Sequence, residues 1–184
     1  MREVIVTVGP RASGKSCLCD KVLALDPSLV LVSRDKITIE LCGSTSPDPY
    51  SGGHQYANER MWETLTELLE LRADVRVILD AWNGSSRERT SINQKLRDLG
   101  VNRIKAWYFV TPVEYVEEWF WRKPGIAKME EMGDRQGQGL TFYSADAPRC
   151  DYELFHKYAE EINSDGFDEI VRVNPLSAEP ELLL

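Results

Sequence analysis

Short apolar runs alternate with longer amphipathic stretches along this chain. The first run, residues 3–8, is rich in β-branched residues and leads through a glycine-containing loop into a helical pattern at Lys15–Leu25. Similar patterns predict strands at 29–33, 75–79, 103–110 and 169–173, and helices at 54–72, 85–99, 111–123 and 151–162. Strands that alternate with helices predict an α/β fold, with a parallel sheet that carries helices on both faces and binds ligands beyond the carboxyl ends of its strands.

Three segments interrupt this pattern. Residues 43–53 are rich in Gly, Ser and Pro and predict a loop, while the polar residues 124–149 include GDRQGQG and predict a flexible flap. The tail after Pro175 is expected to lie at the periphery. We expect residues 1–184 to form one domain, with a lid at about 122–148.

Two helix starts carry cap signals. Ser85 followed by Glu88 is a capping-box pattern. Thr111, Pro112 and Glu114 combine an N-cap residue, a first-turn proline and a second capping box. Both patterns predict helices that follow these caps directly.

The loop after the first strand carries a phosphate-binding motif. Residues 9–16, GPRASGKS, match G-x-x-x-x-G-K-[ST], in which backbone N–H groups point at phosphate oxygens and the following helix adds its positive end. A side chain at Gly14 would obstruct the phosphate, Lys15 reaches the β and γ oxygens as a catalytic charge, and Ser16 supplies a hydroxyl to Mg²⁺. The motif predicts a P-loop NTPase fold that binds ATP and Mg²⁺, and its nucleotide-binding residues are Gly9, Arg11, Ala12, Ser13, Gly14, Lys15, Ser16 and Cys17.

The composition fits a soluble globular domain. The chain has 184 residues and a mass of 21.0 kDa, with 42% hydrophobic and 28% charged residues. The net charge of −8 argues against broad attraction to nucleic acid, although it is compatible with a local basic site. No apolar stretch reaches membrane-spanning length, so we expect no membrane partner. The four cysteines lack a C-x-x-C pair, and we expect them to be reduced thiols in a cytoplasmic protein.

Among P-loop proteins, a small kinase fits the sequence better than a GTPase. A GTPase needs an N-K-x-D segment, which the sequence lacks, and a D-x-x-G segment, where this chain has Asp80-Ala81-Trp82-Asn83. A compact chain with a flap and an aspartate that faces the phosphates is typical of small kinases, by analogy between folds. We therefore expect phosphoryl transfer to an alcohol group.

Four segments of the chain resemble the polynucleotide kinases of bacteriophages and their relatives. They are IVTVGPRASGKS, LVSRD, VILDAWNGSSRER and, more loosely, WFWRK, and together they extend over the first two-thirds of the chain. The resemblance implies ATP-dependent transfer of the γ-phosphoryl group to a hydroxyl of nucleic acid, either a 5′-hydroxyl or a hydroxymethyl group on a base in DNA. It also implies that Asp35 is the general base, that Asp80 lines the acceptor site and that a lid arginine, for which Arg122 is the candidate, stabilises the transferred group. Phosphoryl transfer suits these residue types, because it needs a carboxylate to orient the hydroxyl and cations around the γ-phosphate.

The acceptor side of the predicted site consists of Arg34, Asp35, Asp80, Trp82 and Arg87. Trp82 could stack on a base while Arg87 and Arg89 hold backbone phosphates, or it could pack in the core or under the lid. The resemblance is incomplete at Thr38, where the phage enzymes have an arginine that contacts the substrate. Recognition of a 3′ phosphate is therefore not implied.

Other interpretations of the site residues stay open. Asp35 could instead cap the helix that begins near Lys36, and Asp80 could hold the metal together with Ser16 without contacting the acceptor. Three further basic residues compete with Arg122 in the lid, or form an exposed charged surface with it: Lys123, Lys128 and Arg135.

Two other functions compete with a nucleic-acid kinase. The first is a kinase whose acceptor is a small metabolite or a nucleoside, which the net charge of −8 tolerates more easily. The second is a nucleotide-binding module without catalysis, in which Asp35 only caps a helix. The sequence gives no indication of the oligomeric state.

Overall fold

Strands and helices alternate along the chain, as the apolar pattern predicts. The computed structural model describes residues 1–43, 51–135 and 137–183, so most of the loop predicted at 43–53 lies outside the described residues. The strands are β1 (Arg2–Val8), β2 (Val30–Ser33), β3 (Val75–Asp80), β4 (Arg103–Phe109), β5 (Ile126–Lys128), β6 (Thr141–Tyr143) and β7 (Glu169–Val173). The α-helices are α1 (Lys15–Leu25), α2 (Arg34–Cys42), α3 (Gly53–Leu71), α4 (Ser86–Asp98), α5 (Val113–Trp121), α6 (Met132–Arg135) and α7 (Ala147–Ala159). Short 3-10 turns lie at Met129–Glu131, Ile162–Ser164 and Pro180–Leu183.

Five parallel strands form the main sheet, in the order β2-β3-β1-β4-β7. The register pairs Val6 with Leu79 and Ser33 with Asp80, so the carboxyl ends of β1, β2 and β3 lie at one edge. The loop that follows β1 and the aspartate that ends β3 therefore meet where α/β folds bind ligands.

Helices cover both faces of this sheet, and each face has its own hydrophobic core. On one face, α3, α4 and α7 contribute buried residues that include Leu65, Leu96 and Phe155. On the other face, α1 packs Leu18 and Val22 against the sheet. A strand buried on both sides has apolar residues at successive positions, as β1 does. The predicted α/β fold with helices on both faces is confirmed.

The structure confirms one predicted helix cap and corrects the other. At the start of α4, the Ser85 hydroxyl accepts from the Glu88 N–H at 3.2 Å, and the Glu88 carboxylate accepts from the Ser85 N–H at 2.9 Å. Thr111 makes no cap bond, because the residue at the N-cap position of α5 is Pro112. The Thr111 hydroxyl donates to the Ser13 carbonyl of the phosphate loop instead. In the described ranges, no helix combines the length and apolar character that crossing a membrane requires.

The polar segment predicted as a flexible flap contains regular structure. β5 pairs in parallel with β6, with Ile126 opposite Thr141. Ala127 is buried, and the Tyr143 ring packs edge-on against Phe120 of α5 with 5.2 Å between the ring centroids. A few apolar residues in a polar sequence thus hold this segment against α5, although they form no periodic pattern.

The residues after Pro175 are mostly exposed, as the prediction of a peripheral tail expects, but two of them are partly buried against the protein. Ala178 and Leu183 pack against the core beside α1. Pro175 itself lies close to Gly14 of the phosphate loop. Isolated apolar residues in a short polar tail give no pattern from which this packing could be inferred.

Candidate active site

The phosphate loop, residues 9–16, connects β1 to α1 in a closely packed turn. Its backbone is left-handed at Ala12, with φ 59°, and at Gly14, with φ 86°. Gly9 is required for a different reason, since a Cβ atom there would lie 2.8 Å from both the Phe109 Cβ and the Ser13 Oγ. The loop therefore depends on glycine both for conformation and for its close approach to β4.

Thr111 anchors the phosphate loop from the end of β4. Its hydroxyl donates a 2.7 Å hydrogen bond to the Ser13 carbonyl, and both residues are buried. The Ser13 hydroxyl has no hydrogen-bond partner among the described residues. Buried polar groups are normally paired, so an unpaired hydroxyl inside this loop fits a site for a phosphate oxygen.

Lys15, the first residue of α1, points back into the phosphate loop. Its Nζ donates to the Gly9 carbonyl at 2.9 Å and to the Pro10 carbonyl at 2.8 Å. Burial lowers the pKa of Lys15, while the negative charges of Asp80 and Asp35 raise that pKa. Both carboxylates therefore lie within electrostatic range of the Lys15 ammonium group.

Asp80 ends β3 as a buried carboxylate with two hydroxyl partners. Thr7 of β1 donates to Oδ1 at 2.7 Å, and Ser33 of β2 donates to Oδ2 at 3.4 Å. Asp80 is only 6% exposed. The ends of three neighbouring strands thus fix this carboxylate beside the phosphate loop.

Asp35 lies in the first turn of α2, and the alternative that it caps this helix is wrong. The N-cap is Ser33, whose hydroxyl accepts from the Lys36 N–H at 3.4 Å. The Asp35 side chain is 58% exposed, and its Oδ1 lies 3.5 Å from an Arg34 nitrogen. Arg34 is three-quarters buried, and its Nε has no hydrogen-bond partner among the described residues. Both side chains therefore have unused hydrogen-bonding capacity at the site's edge.

Arg122 and Lys123 follow the end of α5, and their surroundings differ. Arg122 pairs with Glu118 one turn earlier on α5, and its side chain is 71% exposed. Lys123 is exposed as a residue, yet the protein around its ammonium group lowers its pKa, and the charges of Asp35 and Asp80 raise that pKa. Lys123 is thus within electrostatic range of the two carboxylates, and the assignment of Arg122 as the lid cation stays a prediction.

The other cations that were predicted to lie in a lid have partners nearby in the chain. Lys128 lies over the Trp121 ring, with its Nζ 5.4 Å from the ring centroid. Arg135 pairs with Glu131 at 2.8 Å, one turn apart. Both cations are therefore already paired in this structure.

The segment after Asp80 presents Trp82 at the same sheet edge. Trp82 is 39% exposed, and its ring packs edge-on against Phe155 with 5.9 Å between the centroids. Arg87 is exposed, whereas Arg89 is fully buried. The suggestion that Arg89 holds backbone phosphates is therefore wrong, since its guanidinium lies inside the protein.

Ser16 and Asp80 form a donor set that fits Mg²⁺. Ser16 lies in the first turn of α1 and is exposed, next to Lys15. Asp80 offers carboxylate oxygens at the adjoining strand end, held by hydroxyl groups. Hydroxyl and carboxylate oxygens are the ligands that Mg²⁺ prefers, and it usually takes few of them from protein when phosphates supply the rest.

Sequence reasoning missed two threonines that organise the site. Thr7 interrupts the apolar run of β1, and Thr111 lies two residues after the end of β4. Polar residues at the carboxyl ends of buried parallel strands are a signal that could have identified both, because ligands bind at that edge. Thr111 was instead interpreted as a helix cap, since its neighbours also fit that pattern.

Solved structures with similar folds include kinases. One chain in the Pnkp1/Rnl/Hen1 RNA repair complex is 21% identical, with a TM-score of 0.63 over 87% of this chain and 46% of that chain, so this chain spans about half its length. A candidate kinase from Chloroflexus aurantiacus is 16% identical, with a TM-score of 0.64 over 99% of this chain and 94% of that chain. Shikimate kinase from Acinetobacter baumannii, in complex with shikimate, is 14% identical, with a TM-score of 0.55 over 100% of this chain and 88% of that chain. At these identities the likeness concerns the fold alone.

Family membership follows from a different comparison. Comparison of the sequence with curated proteins gives no match. A family model described as an AAA domain matches residues 4–136, from β1 through the phosphate loop and both carboxylates to the end of α6. Since that match includes most of the chain and the elements that build the site, the chain belongs to this AAA domain family and has the fold of a P-loop kinase.

Proposed function

We propose that this protein transfers the γ-phosphoryl group of ATP to a hydroxyl group of an acceptor. The observation that carries the proposal is the position of Lys15 and Asp80 at one sheet edge: Lys15 bonds to two carbonyls of the phosphate loop, and Asp80 is fixed by Thr7 and Ser33. Desolvation lowers the pKa of both Lys15 and Lys123 there, and the charges of Asp35 and Asp80 raise it. Two cations and two carboxylates around a phosphate-binding turn are what phosphoryl transfer to an alcohol requires.

Asp35 is the proposed general base. Its carboxylate is exposed enough to reach an acceptor and lies at the start of α2, away from the Thr7 and Ser33 hydroxyls that hold Asp80. It accepts the hydroxyl proton as the acceptor oxygen bonds to the γ-phosphorus. The bond between that phosphorus and the β–γ bridging oxygen breaks, and ADP leaves with the electron pair.

Lys15 and Lys123 are the proposed cations around the transferred group. Lys15 holds two loop carbonyls, and a triphosphate in the loop would give its ammonium group stronger, charged acceptors. Ser16 and Asp80 would hold Mg²⁺, which neutralises phosphate charge when bound. Asp80 is suited to that role because its orientation is already fixed.

The proposed acceptor is a hydroxyl of nucleic acid, either a 5′-hydroxyl or a hydroxymethylated base in DNA. Trp82 supports this choice, because an exposed indole at the acceptor edge can stack on a base. Arg34 and Arg87 are available at the same edge for anionic groups, Arg87 being exposed and Arg34 having an unpaired Nε. A chain of similar fold belongs to an RNA repair complex, which is compatible with such an acceptor.

A nucleoside or small metabolite is the second candidate acceptor. The observation that favours it is the pairing of surface arginines with carboxylates, as in Arg60–Glu63, Arg97–Asp168, Arg103–Glu169 and Arg149–Glu117. Paired arginines contribute little to binding an extended phosphate backbone. Shikimate kinase, a similar fold, is named for a small acceptor.

Labelled ATP and Mg²⁺ test the proposal directly. The protein is incubated with oligonucleotides that have 5′-hydroxyl ends, with DNA that contains hydroxymethylated bases, and with free nucleosides. Label in an oligonucleotide supports the first acceptor, and label only in a nucleoside supports the second. ATP binding without label in any acceptor contradicts the proposed transfer and favours a nucleotide-binding module.

A further inference from the structure

A buried ion pair lies beneath the segment that carries Trp82. Arg89 of α4 is 0% exposed, and its Nε pairs with Asp165, which is 2% exposed and follows the 3-10 turn at Ile162–Ser164. Ser86 also donates to the Asp165 carboxylate, and the Asn93 amide donates to the Asp165 carbonyl at 2.7 Å. Every one of these bonds satisfies a buried group, so the pair is a rigid part of the interior.

The rest of the Arg89 guanidinium bonds to the backbone. Nη1 donates to the Gly84 carbonyl at 2.9 Å and to the Asn83 carbonyl at 3.3 Å, and Nη2 donates to the Tyr158 carbonyl of α7 at 2.7 Å. The Asn83 amide in turn donates to the Thr7 carbonyl at 2.8 Å. The segment after Asp80 is thus fixed to α4, to α7 and to β1 at once.

Trp82 rests directly on this fixed segment. A Cβ atom at Gly84 would lie 2.6 Å from Cζ2 of the Trp82 ring, so the indole lies against the Gly84 backbone. Phe155 supports the ring from α7 at a centroid distance of 5.9 Å. Gly84 lies under the indole, and its carbonyl accepts the shorter of the two hydrogen bonds that Arg89 Nη1 donates.

Arg97, a second arginine on α4, forms a comparable ion pair whose other bonds lie far from Trp82. Arg97 pairs with Asp168 at 2.6 Å and so also joins α4 to the segment before β7. Its other bonds go to the carbonyls of Val101 and Asn102, at the opposite end of the sheet from Trp82. Joining α4 to this segment therefore does not need Arg89, whose additional bonds go to the Trp82 segment.

We propose that Arg89 is a positioning residue: through the Asn83 and Gly84 carbonyls it holds Trp82 as a preformed stacking surface for a planar ring of the acceptor. This inference rests on the proposed function, and it narrows the acceptor to molecules that carry a base or a similar ring. An acceptor without such a ring gains nothing from a fixed indole.

Three variants test the inference. Arg89→Lys keeps the charge opposite Asp165 but cannot donate to all four partners of the guanidinium. Gly84→Ala leaves the ion pair in place and displaces the indole, and its backbone conformation is not one that requires glycine. Arg97→Lys is the matched control on α4. Each is labelled with 5-fluorotryptophan, and the Trp82 signal among five tryptophans is assigned by its loss in Trp82→Phe.

We expect the ¹⁹F signal of Trp82 to shift or broaden in Arg89→Lys and Gly84→Ala, and to stay unchanged in Arg97→Lys. In the first two variants the KM for a base-containing acceptor should rise by roughly 5- to 100-fold, the value of one base–aromatic stack, with kcat and ATP affinity nearly unchanged. If Arg89→Lys does not fold, Gly84→Ala decides between the outcomes.

Two results would overturn the inference. One is an unchanged Trp82 signal in the folded variants, and the other is a displaced signal with an unchanged acceptor KM. If the wild-type protein phosphorylates no acceptor, the proposed function is contradicted independently of the inference about Arg89. The ¹⁹F shift then still decides whether Arg89 and Gly84 position the indole.

Discussion

The Thr7 hydroxyl donates a 2.7 Å hydrogen bond to Oδ1 of Asp80, from β1 to the neighbouring β3. Thr7 lies two residues before the phosphate loop, so this bond ties the buried carboxylate to the strand that carries the loop. Burial lowers the pKa of Lys15, and the negative charge of Asp80 raises that pKa. Lys15 of the loop and Asp80 at the end of β3 thus interact electrostatically, and we expect the loss of either charge to change the electrostatic environment of the other.

Replacement of Lys15 by Met should remove most turnover without unfolding the protein. Met keeps the apolar stem but loses the ammonium group, which acts most strongly as charge moves during transfer. We expect kcat to fall by roughly 10²-fold or more, as for loss of a preorganised charge donor. Initial rates of acceptor phosphorylation measure this, with Lys21→Met, exposed on the same helix, as control. Equal kcat for Lys15→Met and wild type would remove Lys15 from the mechanism.

Replacement of Asp35 by Asn should abolish transfer and leave ATP affinity nearly intact. Asn keeps the size of the side chain but cannot take the hydroxyl proton, and loss of a general base costs about 10²- to 10⁴-fold in rate. Rates and calorimetric ATP binding are measured together. Asp20→Asn is the control, because Asp20 is also exposed and pairs with Lys36, the residue after Asp35, at 3.1 Å. Wild-type activity in Asp35→Asn would refute the base assignment.

Comparison of Lys123→Ala with Arg122→Ala should identify the lid cation. Lys123 is within electrostatic range of Asp35 and Asp80, so its loss should lower kcat by roughly 10²-fold. Arg122 is exposed and paired with Glu118, so its loss should cost less than about 1 kcal/mol of stability and little activity. Single-turnover rates at saturating ATP distinguish the two. The reverse order of effects would assign this role to Arg122.

Replacement of Thr111 by Val should weaken ATP binding through the loop conformation. The buried Ser13 carbonyl would lose its hydroxyl donor, which costs about 1–3 kcal/mol when the group stays buried. We expect a higher dissociation constant for ATP, with wild-type affinity largely restored in Thr111→Ser, which keeps the hydroxyl. ATP titration of both variants provides the measurement. Equal weakening in Thr111→Ser would mean that shape, and not this bond, is responsible.

The strand ends and the phosphate loop were predictable because their signals are local. Residues 9–16 carry a complete motif between a β-branched run and a helical pattern, and Asp80 ends an apolar run. The structure has β1, α1 and β3 within a residue or two of the predicted bounds. Local pattern decided these elements because each buries a continuous apolar surface.

The choice between neighbouring or similar cations was not predictable in the same way. Arg122 and Lys123 both lie after the last residue of α5, so the turn that follows the helix decides their positions, and a helical pattern gives no information about it. The Arg89 side chain was interpreted as a phosphate contact, yet it is buried against Asp165, 76 residues later in the chain. Such long-range partners leave no trace in the local pattern of either segment.

The stability of the protein should depend on the charge of Glu3. This residue of β1 is 3% exposed, and Arg76 and Lys105 on the neighbouring strands lie 3.0 and 3.1 Å from its carboxylate oxygens. Burial raises the pKa of Glu3, but the hydrogen bonds from Lys105 and Arg76 outweigh burial and hold it below the ordinary value of 4.5. The stabilisation is therefore complete above pH 4.5 and is lost as the pH falls through the lower folded-state pKa.

Glu3→Gln should lower the free energy of unfolding at pH 7 by about 1–3 kcal/mol, because two cations lose their charged partner. The difference from wild type should shrink below pH 4.5 and nearly vanish once Glu3 is protonated in the folded protein. Urea unfolding at a series of pH values measures both curves. Glu70→Gln, an exposed change on α3, should instead run close to wild type throughout. Curves for Glu3→Gln and wild type that stay parallel down to pH 3 would show that the Glu3 charge does not stabilise the fold.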